Sequence, residues 1–491
     1  MDERIAEALL LLSANSFERG LIAGISDTNV IAAFRKKIKH LAITDVDRLG
    51  SAEKGAFDLV FSFFDVPPER GKLEATIDAA GLEGAAVIVM PRDRFGSPKV
   101  EDSLRAPKVY GLSPSIQDLR LILPVENRAC ASASLALYQP SLWKAKLRKF
   151  LAYWLARFGL STVWTPWLMY VSYKNEPAMK GLPAILVKCF GKDVQLALFT
   201  GTQGYLRKPT IQIMDVCGSI LGYCKIGDNF QTKAMVENEA NMIKLVAGLD
   251  LGDAMVPDVM FSGVTIDGIT VLVQSTKKTH LSCAPLVPEV MHGDFLGRLF
   301  KETRVDRRFR EAPVYLEVTE RVRGLEGYAE DEPLRNLADA LEWSSDIIDE
   351  ARVPLSLAHR DFTPWNTFLA EGFLYVFDWE FGRTEWVPLS DAFHFVLQKG
   401  ILVDHASEGS LWERLIGDDS SEGRFLKKSA AMIGIEGDVY HALIAFYLVD
   451  MITMYLFHFR GYGRTVGGEE LLTRWKGLLA RATKEKVSLL L

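Results

Sequence analysis

Along residues 1 to about 125, short apolar runs alternate with stretches of helical periodicity. Apolar positions recur at helix-like spacing near Ile5 to Leu12 and near Val30 to Ile38, and apolar runs stand at His40 to Thr44, Phe57 to Phe63 and Ala85 to Met90. That alternation predicts an α/β layer. From Leu142 to Tyr170 the pattern changes: Lys144, Lys146, Arg148, Lys149 and Arg157 interleave with Trp143, Phe150, Tyr153, Trp154 and Phe158. The charges recur too densely for a membrane-spanning helix. A linker helix packed between domains is the favoured reading, since aromatic residues at helical spacing are most often core, and a basic helix lying in a membrane interface is the alternative. A second apolar stretch, Ala442 to Phe457, is interrupted by Asp450 and bounded by His441 and His458. It reads as a buried helix.

Composition narrows the class. A chain of 491 residues exceeds a single core and implies more than one domain. Apolar residues make up 48% and charged residues 24%, the balance of a folded globular protein. Lys and Arg number 57 against 63 for Asp and Glu, a net charge of −6, so the chain as a whole has no attraction for nucleic acid. The five cysteines form no C-x-x-C pair and have no zinc-like spacing with histidines. A reducing, cytoplasmic compartment is expected, with the inner face of a membrane as the alternative if the basic segment 142–160 docks there. The N-terminus opens with acidic residues and does not read as a signal peptide.

The strongest chemical signal starts at His359. HRDFTPWNTFLAEGFLYVFDWEFG sets His359, Arg360, Asp361 and Asn366 at H-x-D-x-x-x-x-N spacing, followed by an apolar strand that ends on Asp378 in D-W-E. Phosphoryl transfer needs a carboxylate beside the acceptor hydroxyl and oxygen ligands for a divalent cation that neutralises the developing charge. Asp361 suits the first role, and Asn366 and Asp378 suit the second, as ligands of Mg2+. The competing reading is an Asx-type loop and a capped turn without metal. Four matched positions weigh against it.

On these residues the chain resembles the aminoglycoside phosphotransferase and choline kinase family, over the C-terminal two-thirds from about Leu196 to Lys476. The resemblance implies an α+β, protein-kinase-like bilobal fold, with a β-rich small lobe at 191–280 and a helical large lobe at 281–491. It also implies ATP as phosphate donor and catalytic-loop roles for His359, Arg360 and Asp361. Upstream it implies a phosphate-covering turn with Gly201, Thr202 and Gly204, a strand lysine at Lys225 and a helix glutamate at Glu239, fourteen residues on, to pair with it. A hinge meeting the adenine is implied at Val273 to Ser275, with Gln274 and Ser275 as contacts. Asp391 stands where the family has an acidic residue that steadies the catalytic loop.

Arg360 replaces a glycine frequent in the family. D-F-G and A-P-E are absent, which argues for a small hydroxyl-bearing acceptor over a protein. Arg304, Arg307, Arg308 and Arg310 suit either an anionic acceptor or a solvated helix face. FDLVFSFFDV with the GLEGAAVIVMP that follows it resembles the later strands of a Rossmann-type methyltransferase. No G-x-G-x-x-G accompanies them, so a degenerate Rossmann-like domain is expected at 1–125, with a linker at 126–190. LILPVENRACASASLALYQPS resembles kinase-like proteins that accompany bacterial surface-polysaccharide synthesis, which implies a sugar, glycan or glycolipid hydroxyl as acceptor. The alternative is a pseudokinase-like nucleotide-binding scaffold.

Overall fold

The apolar runs at Phe57–Phe63 and Ala85–Met90 become strands buried on both faces, the burial that parallel strands acquire when helices cover them, while the edge run Ile38–Thr44 stays largely exposed. In the computed structural model, which describes residues 1–92, 104–137, 143–175, 177–191, 193–201, 206–279, 282–327, 331–463 and 466–489, the strands of this layer are β1 (Phe17–Ala23), β2 (Ile38–Thr44), β3 (Phe57–Phe63) and β4 (Ala80–Pro91). They pair in parallel in the order β2-β1-β3-β4, with Leu21 beside Ala42 and Val60, and Val60 beside Ala86. Helices Thr28–Arg35 and Arg70–Ala79 make two of the crossovers. Asp27 caps the first, its carboxylate accepting from the N–H groups of Asn29 and Val30.

The expected break near residue 125 does not separate two bodies. The sheet continues through β5 (Lys108–Pro114), β6 (Leu119–Pro124) and β7 (Trp167–Tyr173), with β7 inserted antiparallel between β4 and β5. β6 then pairs with β8 (Gln195–Phe199), placing Leu121 beside Phe199. From there the ladder runs antiparallel through β9 (Thr210–Met214), β10 (Ile220–Gly227), β13 (Thr270–Ser275) and β12 (Val259–Val264). Among the described residues one twelve-stranded sheet results, and one apolar cluster runs from Ile5, Phe34 and Phe61 to Ile211, Cys224 and Val273. The physical reason is an edge strand: β8 alone would leave a row of unpaired backbone groups, and β6 covers it. Met1–Glu237 and Val259–His280 accordingly form a single compact unit.

The second unit, Asn238–Asp258 with Leu281–Leu491, is mainly helical. Its core gathers Trp386, Phe393, Phe446 and Trp475, with two small sheets, one of β11 (Ala254–Met255), β16 (Phe373–Val376) and β15 (Thr367–Ala370), the other of β14 (Ser356–Ala358) and β17 (Arg383–Trp386). Helix Gly437–Tyr462 is the second apolar stretch of the sequence. Its segment Gly437–Gly461 is long and apolar enough to cross a membrane, but 78% of its most apolar window is buried in protein. Asp450 at its centre is held by two arginines, Arg321 and Arg360. It is the core helix of this unit.

Candidate active site

The loop after β14 is fixed from below by one buried carboxylate. Asp391, in the first turn of helix Ser390–Leu402, accepts the backbone N–H of His359 and of Arg360, each at 2.7 Å. Burial pushes its carboxyl up; the two backbone N–H donors oppose that shift. His359 is fully buried: its ring lies 4.4 Å from that of Trp379, Nδ1 accepts the Asp361 N–H at 3.3 Å, and Nε2 therefore donates to the Phe377 carbonyl at 3.0 Å.

Arg360 turns away from the loop surface. Its guanidinium lies 3.7 Å from the centroid of Trp386 and donates to both oxygens of Asp450, at 2.9 and 3.0 Å. Burial lowers the Arg360 pKa, with Asp450 opposing. For Asp450 burial acts upward, and the charges of Arg360 and Arg321 outweigh it and hold the carboxyl below its usual range. The backbone of Arg360 is left-handed, at φ +65°, a conformation that favours glycine. The side chain on this left-handed backbone is locked by an ion pair. The expected catalytic roles of His359 and Arg360 are corrected by this burial: both position the loop, and neither side chain is open to a substrate.

Asp361 is the exposed member, its side chain 30% accessible. One oxygen accepts from Asn366 Nδ2 at 2.8 Å, and the other lies 3.2 Å from His394 Nε2. His394 in turn meets the Tyr447 hydroxyl through Nδ1 at 3.0 Å. Because Asn366 uses its amide nitrogen on Asp361, also bonding the Asp361 carbonyl at 2.9 Å, its side-chain oxygen is the atom left to face a cation.

β16 delivers Asp378 at its end as expected of an apolar strand, and the Phe377 N–H bonds the Asn366 carbonyl at 3.1 Å, joining strand end to loop. Asp378 also has a left-handed backbone, φ +73°. Strain of this kind concentrates where a side chain must be aimed. Asn238, on helix Phe230–Val246, donates to the carbonyls of Glu380 and Gly382 at 2.9 and 3.1 Å and so binds D-W-E to that helix. The result is a convergence of three carboxylates. Glu239, Asp378 and Glu380 offer oxygens that all lie within 4.8 Å of one another. An all-oxygen set of this charge fits a hard divalent cation such as Mg2+.

Other expected residues belong to the first unit. Lys225 lies on the central strand β10, opposite Thr210 and Leu272. Gln274 and Ser275 close β13, beside Tyr223 and Gly222, and a Cβ on Gly222 would stand 2.3 Å from the Gln274 carbonyl oxygen, so glycine is required there. Gly201 follows β8 at φ +88°. Thr202 and Gly204 lie outside the described residues. Glu239, expected as the partner of Lys225, is fully buried in the second unit with the two carboxylates named above.

Two site residues escape a reading of the sequence. Glu380 sat in the D-W-E string without an assigned role, and its spacing from Asp378 was the available signal. His394 carried none, since only folding brings helix Ser390–Leu402 against the loop. The arginines of KETRVDRRFRE prove to be engaged: Arg304 with Asp306, Arg307 with Glu385, Arg308 with Asp349, and Arg310 with Glu342 and Asp346. Their counter-charges lie within the chain, most of them at exposed positions.

No protein-family model matches the sequence, and no curated protein is similar to it. Among solved structures, an aminoglycoside phosphotransferase in complex with GDP and kanamycin is 12% identical, with a TM-score of 0.41 over 62% of this chain and 98% of that one. A thermostable mutant of the aminoglycoside phosphotransferase APH(4)-Ia, in ternary complex with AMP-PNP and hygromycin B, is 14% identical, with a TM-score of 0.41 over 61% and 97% of the two chains. The likeness to aminoglycoside phosphotransferases is thus one at low identity and low TM-score. At these scores it carries no functional argument, which rests on the site's own residues.

Proposed function

We propose that this protein is a metal-dependent phosphotransferase that moves the γ-phosphate of ATP to a hydroxyl of a small molecule, with a sugar, glycan or glycolipid as acceptor class. The observation that carries the reading is the second unit's arrangement of an accessible Asp361, tied through Asn366 to a strand that ends in a three-carboxylate cluster.

In this reading Asp361 orients the acceptor hydroxyl and takes its proton as the oxygen attacks phosphorus. Its placement suits that task, because His394 and Asn366 fix both carboxylate oxygens while the group stays accessible. Glu239, Asp378, Glu380 and the Asn366 side-chain oxygen would hold Mg2+, which when bound neutralises charge on the phosphates. Asp391, His359 and Arg360 keep the loop in register. Lys225, Gly201 and Gln274 are nucleotide contacts in this reading.

Phosphate transfer from ATP should be measured across sugars, nucleotide sugars, amino alcohols and aminoglycosides, for wild type and Asp361→Asn. Acceptor-dependent transfer that falls at least ~100-fold in the variant, with nucleotide binding retained, is the expected result. Nucleotide binding without transfer to any alcohol would favour a nucleotide-binding scaffold instead.

A further inference from the structure

The basic aromatic helix leaves several of its aromatic residues exposed. Helix Trp143–Arg157 sets Ala152, Tyr153 and Ala156 toward the cluster that contains Leu121, Leu123 and Cys130. Its other side presents Leu147, Phe150, Leu151, Trp154 and, just beyond the helix, Phe158. Phe150, Trp154 and Phe158 are 58%, 44% and 66% exposed. Leu147, Phe150, Trp154 and Phe158 follow one another at spacings of three and four and share one stripe with Leu151. Their rings are contiguous: Phe150 and Trp154 lie 6.3 Å apart between centroids, Trp154 and Phe158 5.9 Å apart and stacked. Leu160 and Val163, both exposed, extend the patch.

From the exposure of this stripe and the charge beside it, we propose that this face docks onto the surface of an anionic lipid bilayer. The stretch from Leu142 to Tyr170 carries five basic residues and no acidic one, in a chain whose net charge is −6. Arg148 and Arg157, both exposed, fall on opposite flanks of the stripe. An apolar stripe edged with cations is the arrangement that sinks rings and leucines below the headgroups while guanidinium groups meet phosphate and carboxylate. A tryptophan at the centre of the stripe suits the interface itself.

The same charges argue against the other occupants. A two-fold copy of this face would set cation against cation. A single-stranded nucleic acid would use the rings for stacking but gains nothing from Leu147, Leu151, Leu160 and Val163. This docking surface stands independently of the phosphotransfer reading.

The test is flotation of the full chain with vesicles of equal parts phosphatidylcholine and phosphatidylserine, against vesicles of phosphatidylcholine alone, at low and high salt. Wild type is expected to float with the anionic vesicles only, and to be released by salt. Phe150→Glu with Trp154→Glu and Phe158→Glu should bind at least ~10-fold more weakly while melting as wild type does, since these side chains face solvent. Arg148→Glu with Arg157→Glu, which leaves the rings in place, should bind the anionic vesicles more weakly as well. The proposal is overturned if wild type does not float, if it floats equally with both vesicles, or if the ring variant floats undiminished. It is also overturned if light scattering shows that the face joins two copies, or if a single-stranded oligonucleotide binds it in preference to vesicles.

Discussion

Asp450→Leu should destabilise the second unit more than any surface substitution can. The carboxylate is 3% exposed and answers two guanidinium groups, Arg360 at 4% and Arg321 at 13% exposure. Leucine fills the same space without the charge and leaves both cations buried, with the partly exposed Glu317, 3.6 Å from Arg360 and 3.8 Å from Arg321, as their remaining counter-charge. Breaking a buried pair in this way costs about 3–5 kcal/mol. For a domain of this size that lowers the melting temperature by roughly 6–20 °C. Combining Asp450→Leu with Arg321→Met and Arg360→Met removes all three charges and keeps the volume, so most of the loss should return. Differential scanning calorimetry reads both. The reasoning fails if the single variant melts within about 1 kcal/mol of wild type, or if the triple variant is no better than the single one.

Three further outcomes follow from the site and its surroundings. His394→Ala frees one Asp361 oxygen from its partner and should lower kcat about 100-fold with little change in nucleotide KM, while His394→Gln, which can still donate near the same point, restores part of it; equal KM and kcat losses, or no rescue, would give His394 a merely structural role. Burial holds the His292 pKa down at about 4, against an ordinary value of 6.5, and its Nδ1 accepts the Glu289 N–H at 3.0 Å. The unfolded chain therefore takes up the proton first, so stability is full above pH 6.5 and falls as pH drops toward 4, by up to about 3 kcal/mol. His292→Gln should flatten that slope in urea unfolding across this range, and an unchanged slope would place its origin elsewhere.

The parts of the fold read from sequence were those where one local pattern decides one element. Phe57–Phe63 was legible as a strand because its apolar run has no helical alternative, and the chemistry of Asp361, Asn366 and Asp378 was legible because all three lie within one loop-strand-turn. What stayed hidden depends on pairing between distant segments. Nothing in Leu119–Pro124 announces that it will cover the edge of β8, so the N-terminal layer looked like a separate domain. The interleaved rings of 142–158 obey helical spacing, which identifies a helix but not which face is covered. The core contributed by Ala152 and Ala156, small residues without a strong signal, turned the aromatic side outward. His394 was invisible as a site residue for the same reason, since its partner Asp361 comes from another element, and Glu380 offered only its spacing from Asp378.

In the proposed mechanism a divalent cation held by the carboxylate cluster is part of the nucleotide site. Calorimetric titration of ATP into wild type and Asp378→Ala, each with and without Mg2+, tests it most directly. Wild type should bind ATP only with Mg2+, and the variant at least ~10-fold more weakly. Binding that ignores both Mg2+ and the substitution, or no binding by wild type at all, would contradict it.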